Sequence, residues 1–308
     1  MSIRESIFKK LNAEKDYIRP MSLPIFLQAT DGVQLEGILF KPSGIPEGAI
    51  LIAPGLGIPK EFYCDYCAFL ADFGYASFVF DYRGIGKSDI NKVNSEKINL
   101  RNWGLIDMPC ALDFLKKTFP QQKLYLIGHS IGGQLAGLMP NHHLLERIIM
   151  ISTTGGYWRL FDFPLNLFSV FMWSLHIPIT TRIVGYLPKS LTYRGVRIAK
   201  GVAQEWAAWS LKKAYIAHYF GRTIPSHCYA DINIPIDNIY FADDEIATPR
   251  AIRSMMEYYT NVRVKEHLIN PKLDGQSRVG HSGFFSLDKG EYYWQMPLQI
   301  IGATLTNY

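Results

Sequence analysis

Short apolar runs alternate with helical patterns through most of this chain, and this alternation constrains its fold more than any other feature. The runs lie at residues 49–53, 76–80, 124–127, 147–151 and 238–241. Strands of a parallel sheet are covered by helices on both faces, so they read as nearly continuous apolar segments. The pattern therefore predicts an α/β fold built on a mostly parallel sheet.

Further strand-like runs lie before and after this alternating pattern. Two strand-like runs, residues 25–29 and 33–40, flank Asp31 and Gly32, a dipeptide that favours a tight hairpin turn. The run at 262–268 is more polar, as is typical of an edge strand. We expect an antiparallel N-terminal hairpin, preceded by a polar leader with a helical pattern.

The alternation is interrupted between residues 154 and 230, a stretch with several helical patterns, no clear strand and four of the six tryptophans. A crossover between neighbouring strands needs only about 10 to 12 residues, so most of this stretch is surplus. We expect one α/β core, formed by residues 1–153 and 231–308, with residues 154–230 inserted as a helical cap.

Residues 161–175 are the most apolar part of the predicted cap. Asp162, Pro164 and Asn166 interrupt them, so they fall short of the ~20 apolar residues of a membrane span. We expect a buried cap helix at this position. Weak contact with a membrane surface is the alternative, and no transmembrane segment is predicted.

Charge and cysteine content argue against several classes of protein. The net charge is only +5 and no basic block exceeds a pair, so nucleic-acid binding is not expected. Residues 1–10 carry charges where a secretory signal needs an apolar stretch, which predicts a cytoplasmic location. Cys64 and Cys67 have no second pair or histidine cluster to complete a metal site. We therefore expect structural thiols and no metal.

The strongest chemical signal is the sequence Gly-His-Ser-Ile-Gly at residues 128–132. It directly follows a strand run and precedes a helical run, which is the context that a G-x-S-x-G motif requires. Its glycines permit a close backbone approach at a sharp turn, so that Ser130 projects above the sheet near a helix N-terminus. Ser130 is therefore the candidate nucleophile.

Together with this motif, four further segments resemble the α/β-hydrolase-fold serine hydrolases. They are Ala-Pro-Gly-Leu-Gly at 53–57, Asp-Tyr-Arg-Gly-Ile-Gly-Lys-Ser at 81–88, Ala-Asp-Asp-Glu at 242–245 and Gly-His-Ser-Gly-Phe-Phe at 280–285. Serine, aspartate and histidine follow one another in the family's order. The resemblance spans residues 25–300 apart from the cap, and it is greatest to a bacterial group of predicted hydrolases with a Trp-bearing cap.

The resemblance implies a catalytic triad. A serine hydroxyl is a weak nucleophile at neutral pH, so Ser130 needs a general base, and His281 is the candidate. A carboxylate is expected to orient the imidazole ring and stabilise its protonated form. Asp244 is favoured because the family places the acid last in this loop, and Asp243 remains the alternative.

The resemblance also implies an oxyanion hole made of backbone groups. The N–H of Ile131, directly after the nucleophile, is one expected donor, and the N–H of Leu56 is the other. Pro54 departs from the pattern, since many relatives have histidine before the glycine at this position. The change leaves donation by the backbone intact.

Two tryptophans are candidate substrate-binding residues. Trp206 and Trp209 are three residues apart, so they share one face of a predicted cap helix. That face either packs in the core or lines a pocket above Ser130. Both readings stay open from the sequence.

These features together predict a serine hydrolase that cleaves a small to medium, largely apolar ester through an acyl-enzyme on Ser130. No cofactor is expected, because no G-x-G-x-x-G opens a first helix and Asp81 occupies the position of the first P-loop glycine. An acyltransferase with the same three residues is one alternative. A non-catalytic binding protein on the same fold is another.

Overall fold

The computed structural model describes residues 21–88, 98–189 and 196–303. The predicted helical leader and the N-terminal charge pattern lie outside these ranges. The strands are β1 (Met21–Gln28), β2 (Gln34–Lys41), β3 (Gly48–Ala53), β4 (Tyr75–Phe80), β5 (Lys123–His129), β6 (Leu145–Ile151), β7 (Tyr186–Leu187), β8 (Ile198–Ala199), β9 (Ile236–Phe241) and β10 (Lys265–Ile269).

Eight of these strands form one sheet, in the order β1-β2-β4-β3-β5-β6-β9-β10. The β1–β2 and β2–β4 pairs are antiparallel, and all the other pairs are parallel. Strands β3, β4 and β9 are buried along their whole length, whereas β10 lies at the edge and is largely exposed. The predicted hairpin and mostly parallel sheet are confirmed.

Helices cover both faces of the sheet. They are α1 (Cys64–Asp72), α2 (residues 100–118), α3 (Ile131–Gln134), α4 (Leu165–Val184), α5 (Lys200–Ser210), α6 (Pro249–Met256), α7 (Leu287–Gly290) and α8 (Gln295–Ile300). Side chains alternate along each strand, so Leu51 of β3 enters one hydrophobic core while Ile50 and Ile52 enter the other. The sheet is therefore the middle of three layers.

Helix α1 contains the two closely spaced cysteines. Burial raises the pKa of the Cys64 thiol to about 11, and burial also raises the pKa of Cys67, which has no exposed surface. Both thiols therefore stay protonated at neutral pH, where a thiol is a poor metal ligand or nucleophile. This agrees with the structural role expected for them.

The chain between β6 and β9 contains α4, the ribbon of β7 and β8, and α5. Strands β7 and β8 pair antiparallel over two residues each and were not anticipated in the predominantly helical cap. The rings of Trp173 in α4 and Trp206 in α5 meet edge to face, with centroids 5.6 Å apart. The division of the chain into a core and a cap stays a prediction.

Helix α4 is longer and more exposed than the sequence indicates. It runs for 20 residues, past Leu175 to Val184, and its length and apolar composition suffice to cross a membrane, with 28% of its most apolar window buried. Met172, Trp173 and Ile177 are buried on its inner side. Its outer apolar side chains are exposed, so the expectation of a buried helix is wrong for that face.

Candidate active site

Ser130 lies at the sharp turn between β5 and α3. Its φ of 51° is in the left-handed region, which a non-glycine residue occupies only where its surroundings impose it. Strand β5 is central in the sheet, between β3 and β6. The serine therefore stands at the carboxyl edge of the parallel strands, where ligands of open α/β sheets bind.

The glycines of the serine motif are required by close backbone contacts. A Cβ atom on Gly132 would lie 2.2 Å from the carbonyl oxygen of Ala53, and one on Gly128 would lie 2.6 Å from the Cα of Gly133. Either contact is far inside van der Waals distance. The absence of side chains here lets the end of β3 approach the serine turn.

Ser130, His281 and Asp244 form one chain of hydrogen bonds, although they come from three different loops. His281 Nε2 lies 2.8 Å from Ser130 Oγ, and His281 Nδ1 lies 2.8 Å from Asp244 Oδ2. The carboxylate accepts the Nδ1–H proton, which leaves Nε2 to accept the serine O–H. The structure thus brings together all three residues of the predicted triad, while their catalytic roles stay predictions.

The carboxylate of Asp244 is held in its charged form despite burial. Burial by itself would raise its pKa, but the adjacent His281 and the N–H groups of Ile246 and Ala247 outweigh this and lower the pKa. Asp244 Oδ1 accepts those two N–H groups at 2.9 and 3.0 Å. Both carboxylate oxygens are therefore partnered, and the negative charge beside the imidazole is fixed in position.

The neighbouring Asp243 has a different set of contacts. Its two oxygens accept the N–H groups of Val279 and Gly280, at 3.0 and 2.9 Å, directly before His281. Asp243 therefore holds the histidine loop, and Asp244 is the carboxylate that reaches the ring. These contacts agree with the favoured choice of Asp244, and which aspartate acts as the triad acid stays a prediction.

A buried pair, Tyr63 and His129, connects the loop of Leu56 with the loop of His281. The Tyr63 hydroxyl accepts the N–H of Gly55 at 2.7 Å and donates to His129 Nδ1 at 2.8 Å. His129 Nε2–H in turn donates to the carbonyl oxygen of His281 at 3.0 Å. No motif points to Tyr63, so the sequence analysis missed it.

His129 is neutral in this network. Burial, with a smaller contribution from the nearby His281, lowers its pKa to about 3 from an ordinary value of 6.5. A neutral ring can accept at Nδ1 and donate at Nε2 at the same time, and both bonds of the network require this. The structural role expected for His129 is consistent with these contacts.

The turn that carries Tyr63 is anchored by the segment at 81–88. Buried Asp81 accepts the N–H of Lys60 at 2.8 Å and its ammonium group at 2.6 Å. A Cβ atom on Gly86, whose φ is +53°, would lie 2.2 Å from Asp81 Oδ2. The glycine therefore leaves room for the carboxylate, and Asp81 acts as a structural group of the turn.

A cavity of about 290 Å³ adjoins Ser130 and His281. Leu56 and Ile131, the predicted oxyanion residues, also line it. Ile131 is the first residue of α3, and the first turn of a helix has N–H groups without partners inside the helix. Most of the wall is apolar, and it includes Phe161, Leu165, Phe168, Met172, Trp173 and Trp206.

The two predicted substrate-binding tryptophans are placed differently. Trp206 lines the cavity, whereas Trp209 is not among its lining residues. Trp209 has no exposed surface and packs beside Tyr215 and Tyr219, with ring centroids 5.9 and 6.4 Å away. Because residues three apart on a helix are separated by about 60° around its axis, only one of the two reaches the pocket.

Charged groups contribute little to this cavity. Among the described residues that line it, none is Asp, Glu, Lys or Arg. Within ranges 21–88, 98–189 and 196–303, no cluster of three or more His, Cys, Asp or Glu side chains is arranged to hold a metal ion. The chemistry of the cavity therefore rests on serine, histidine, the buried carboxylate and backbone groups.

Sequence comparisons connect part of the chain with known proteins. Residues 44–194 match the model of a family described as serine aminopeptidase, S33. The chain is 27% identical over 154 residues to a monoacylglycerol lipase (ABHD2) of Danio rerio, covering 46% of this chain and 35% of that protein. It is 29% identical over 119 residues to the monoglyceride lipase of Mus musculus, covering 38% and 37%. The chain thus spans little more than a third of these relatives.

Structural comparison extends over nearly the whole chain. A soluble variant of the monoglyceride lipase of Saccharomyces cerevisiae, in complex with a substrate analogue, superposes with a TM-score of 0.62 at 14% identity, covering 94% of this chain and 98% of that one. The fold and the serine turn define an α/β-hydrolase-fold protein. The resemblance predicted from the sequence is confirmed at this level.

The buried His129 predicts how the stability of the protein depends on pH. The folded state keeps this ring neutral down to a pKa of about 3, whereas the unfolded chain takes up a proton near pH 6.5. The contribution of His129 to stability is therefore expected to fall as the pH drops below about 6.5, by up to about 1.4 kcal/mol per pH unit. Urea unfolding at several pH values between about 5 and 7 measures this slope.

The variant His129→Gln is expected to reduce the slope, whatever its effect on stability at neutral pH. His143→Gln changes an exposed histidine in the same way and should leave the slope as in the wild type. Equal slopes of stability against pH for wild type and His129→Gln would contradict the conclusion that His129 is neutral in the folded protein.

Proposed function

We propose that this protein is a serine hydrolase that cleaves small to medium, largely apolar carboxylic esters. The observation that carries the proposal is the hydrogen-bonded chain from Ser130 through His281 to Asp244 at the wall of an apolar cavity. Serine alone is common on protein surfaces. Serine at a strained turn, within 2.8 Å of an imidazole that a buried carboxylate orients, is the arrangement that acyl transfer requires.

In the first half of the reaction, Ser130 Oγ attacks the carbonyl carbon of the ester while His281 Nε2 takes the serine proton. Asp244 stabilises the imidazolium that forms. The N–H groups of Ile131 and Leu56 bind the negative oxygen of the tetrahedral intermediate. His281 then gives its proton to the leaving alcohol, and the acyl group remains on Ser130.

In the second half, water takes the place of the alcohol. His281 accepts a proton from the water, whose oxygen attacks the acyl carbon, and the same two N–H groups stabilise the second tetrahedral intermediate. Collapse of that intermediate breaks the bond to Ser130 Oγ, which regains its proton from His281. The carboxylic acid leaves, and the enzyme returns to its starting state.

The cavity supports an ester of an apolar acyl chain as the substrate class. Its volume of about 290 Å³ is at the lower end of the range for small-molecule sites, and its wall is mostly apolar. The relatives named as monoacylglycerol and monoglyceride lipases agree with an acyl ester of a small alcohol.

The absence of charge in this wall favours an ester over the peptide that the name of the matched family suggests. An aminopeptidase must bind the ammonium group at the N-terminus of its substrate, and a buried ammonium group needs a carboxylate partner. The described residues that line the cavity supply none. Ester cleavage is therefore the better match to the site.

Replacement of the nucleophile tests the reaction itself. Ser130→Ala is expected to lower kcat/KM for p-nitrophenyl butyrate by at least about 10³-fold, because Ser130 carries the hydroxyl that contacts the proposed base His281. It should also abolish labelling by a fluorophosphonate probe, while the thermal midpoint stays close to that of the wild type. Ser43→Ala, at an exposed serine, is the matched control and should keep both activity and labelling. Labelling retained in Ser130→Ala would refute the proposal.

The two adjacent aspartates provide a second test. Asp244→Asn keeps the size of the side chain but favours the wrong imidazole tautomer, so kcat is expected to fall by about 10³ to 10⁴-fold. Asp243→Asn loses only one acceptor for the N–H groups of the histidine loop, so its activity should stay within about tenfold of the wild type. Steady-state kinetics of the two variants measures this difference. A larger loss of kcat in Asp243→Asn than in Asp244→Asn would show that Asp243, and not Asp244, is the triad acid.

The size of the cavity predicts a preference for acyl length. In a series of p-nitrophenyl esters from acetyl to palmitoyl, kcat/KM should peak between butyryl and octanoyl and then fall. Trp206→Ala, which enlarges the cavity, should move the peak to longer chains. Trp209→Ala removes the same side chain from the core and should lower stability without moving the peak. An unchanged optimal acyl length in Trp206→Ala would show that Trp206 does not contact the acyl chain of the substrate.

The same assay distinguishes hydrolysis from acyl transfer. With glycerol added as an acceptor, a hydrolase should still release mainly the free acid. Acyl glycerol as the main product at moderate glycerol concentration would identify an acyltransferase that uses the same residues.

A further inference from the structure

The outer face of helix α4 carries a continuous apolar surface. Its outer stripe consists of every fourth residue, and the members expose between 49% and 79% of their area: Leu167, Phe171, Leu175, Ile179 and Ile183. Phe163, just before the helix, is 77% exposed. Single exposed apolar side chains are ordinary on protein surfaces, but a contiguous row over about four turns marks an interaction surface.

The helix geometry keeps this stripe together. In a regular α-helix, residues four apart drift by about 40° around the axis at each step, so a four-residue repeat would wind away from one face. Residues Met172–His176 form a wider, π-helical turn in the middle of α4. A wider turn rotates each residue by less, which counters the drift. The stripe therefore presents one side along the length of the helix.

Positive charge is concentrated in the same part of the chain. Residues 154–230 contain nine Lys and Arg against two Asp and Glu, a charge of +7, whereas the whole chain has +5. One of the two acids, Glu205, is paired with Arg101. Arg182 of α4 and Lys189, which follows soon after, are exposed. The segment that carries the stripe is therefore complementary in charge to an anionic, apolar partner.

The inner face of α4 forms a wall of the cavity. Leu165, Ser169 and Met172 line it, as does Phe168, which is also 43% exposed. A single helix thus separates the cavity from the apolar outer stripe. An apolar ester taken from a lipid layer beneath the stripe would have a short path to Ser130.

From the stripe and the surrounding charge we infer that helix α4 docks on the surface of an anionic lipid bilayer. The helix lies in the plane of the interface, with the stripe among the acyl chains and the basic residues at the headgroups. It does not span the bilayer in this mode, because its inner side chains remain packed in the cavity wall. Docking goes beyond the proposed hydrolysis and does not depend on it.

The charge also decides between a bilayer and a second copy of this chain. Two copies that met through their stripes would bring two segments of +7 together, and like charges oppose such an interface. Anionic headgroups instead attract each basic residue near the surface, by about 1 kcal/mol. The bilayer is therefore the occupant that fits both the apolar stripe and its surroundings.

Vesicle binding by the full chain tests the inference. Wild-type protein should sediment with vesicles of phosphatidylcholine and phosphatidylglycerol mixed two to one, and much less with phosphatidylcholine alone. Replacement of Phe171, Leu175 and Ile179 by Ser should weaken binding at least about tenfold, since three exposed apolar side chains are lost from the interface. The matched control replaces Ile45, Leu268 and Leu273, which are more exposed than the three stripe residues but lie outside the predicted cap, and should bind as the wild type does.

A pair of charge variants tests the headgroup contacts. Arg182→Gln combined with Lys189→Gln should weaken binding about fivefold per removed charge at low salt. Lys123→Gln combined with Lys265→Gln removes two exposed charges from the predicted core and should have little effect. Salt should weaken the binding of the wild type more than that of the first pair.

Three outcomes would overturn the inference. They are wild-type protein that stays in solution with both kinds of vesicle, a stripe variant that binds as tightly as its control, and a wild-type dimer that the stripe variant converts to a monomer. Extraction by alkaline carbonate separates docking from spanning, because only a spanning protein resists it. Turnover of a soluble ester is measured in parallel, so that binding without turnover would refute the hydrolase and leave the docking intact.

Discussion

The contact between the serine turn and the end of β3 is the constraint on which the rest of the site depends. Gly132 has no side chain, so its backbone lies against the Ala53 carbonyl group, where any Cβ would be 2.2 Å from the oxygen. This contact brings two loops from neighbouring strands to one point and holds Ser130 at its unusual φ. A strained residue persists only where its surroundings determine it this strongly. The proposed oxyanion hole and nucleophile are therefore consequences of one close approach.

Two sets of hydrogen bonds hold the loops whose positions the sheet alone does not determine. Asp243 holds the backbone before His281, and the Tyr63–His129 pair ties that loop to Gly55 beside Leu56. Both sets use buried or partly buried groups whose bonds are satisfied, which makes them rigid. The imidazole is thus positioned from both sides, by Asp244 at its ring and by these bonds at its backbone.

Much of this arrangement is predictable from the sequence, for reasons that particular residues make clear. Fully buried parallel strands are visible as apolar runs, and the serine turn is visible because Gly128 and Gly132 are needed at fixed spacing. Tyr63 and the cavity residues of α4 are not predictable, because their roles arise from contacts between segments distant in the chain. Trp206 and Trp209 show the same limit. Their helical spacing predicts that they share one face, but Trp209 packs against Tyr215 and only Trp206 lines the cavity.

Helix α4 shows why the sequence does not predict which side chains are buried. Its composition is mostly apolar, which is typical either of a helix inside a core or of one in a membrane. The inner side chains are buried as a core helix requires, whereas the outer stripe is exposed as a bilayer-facing surface requires. An apolar cavity on one side and a basic, apolar surface on the other make a single helix the boundary between two environments. Such a boundary suits the proposed substrate, an apolar ester that dissolves in lipid rather than in water.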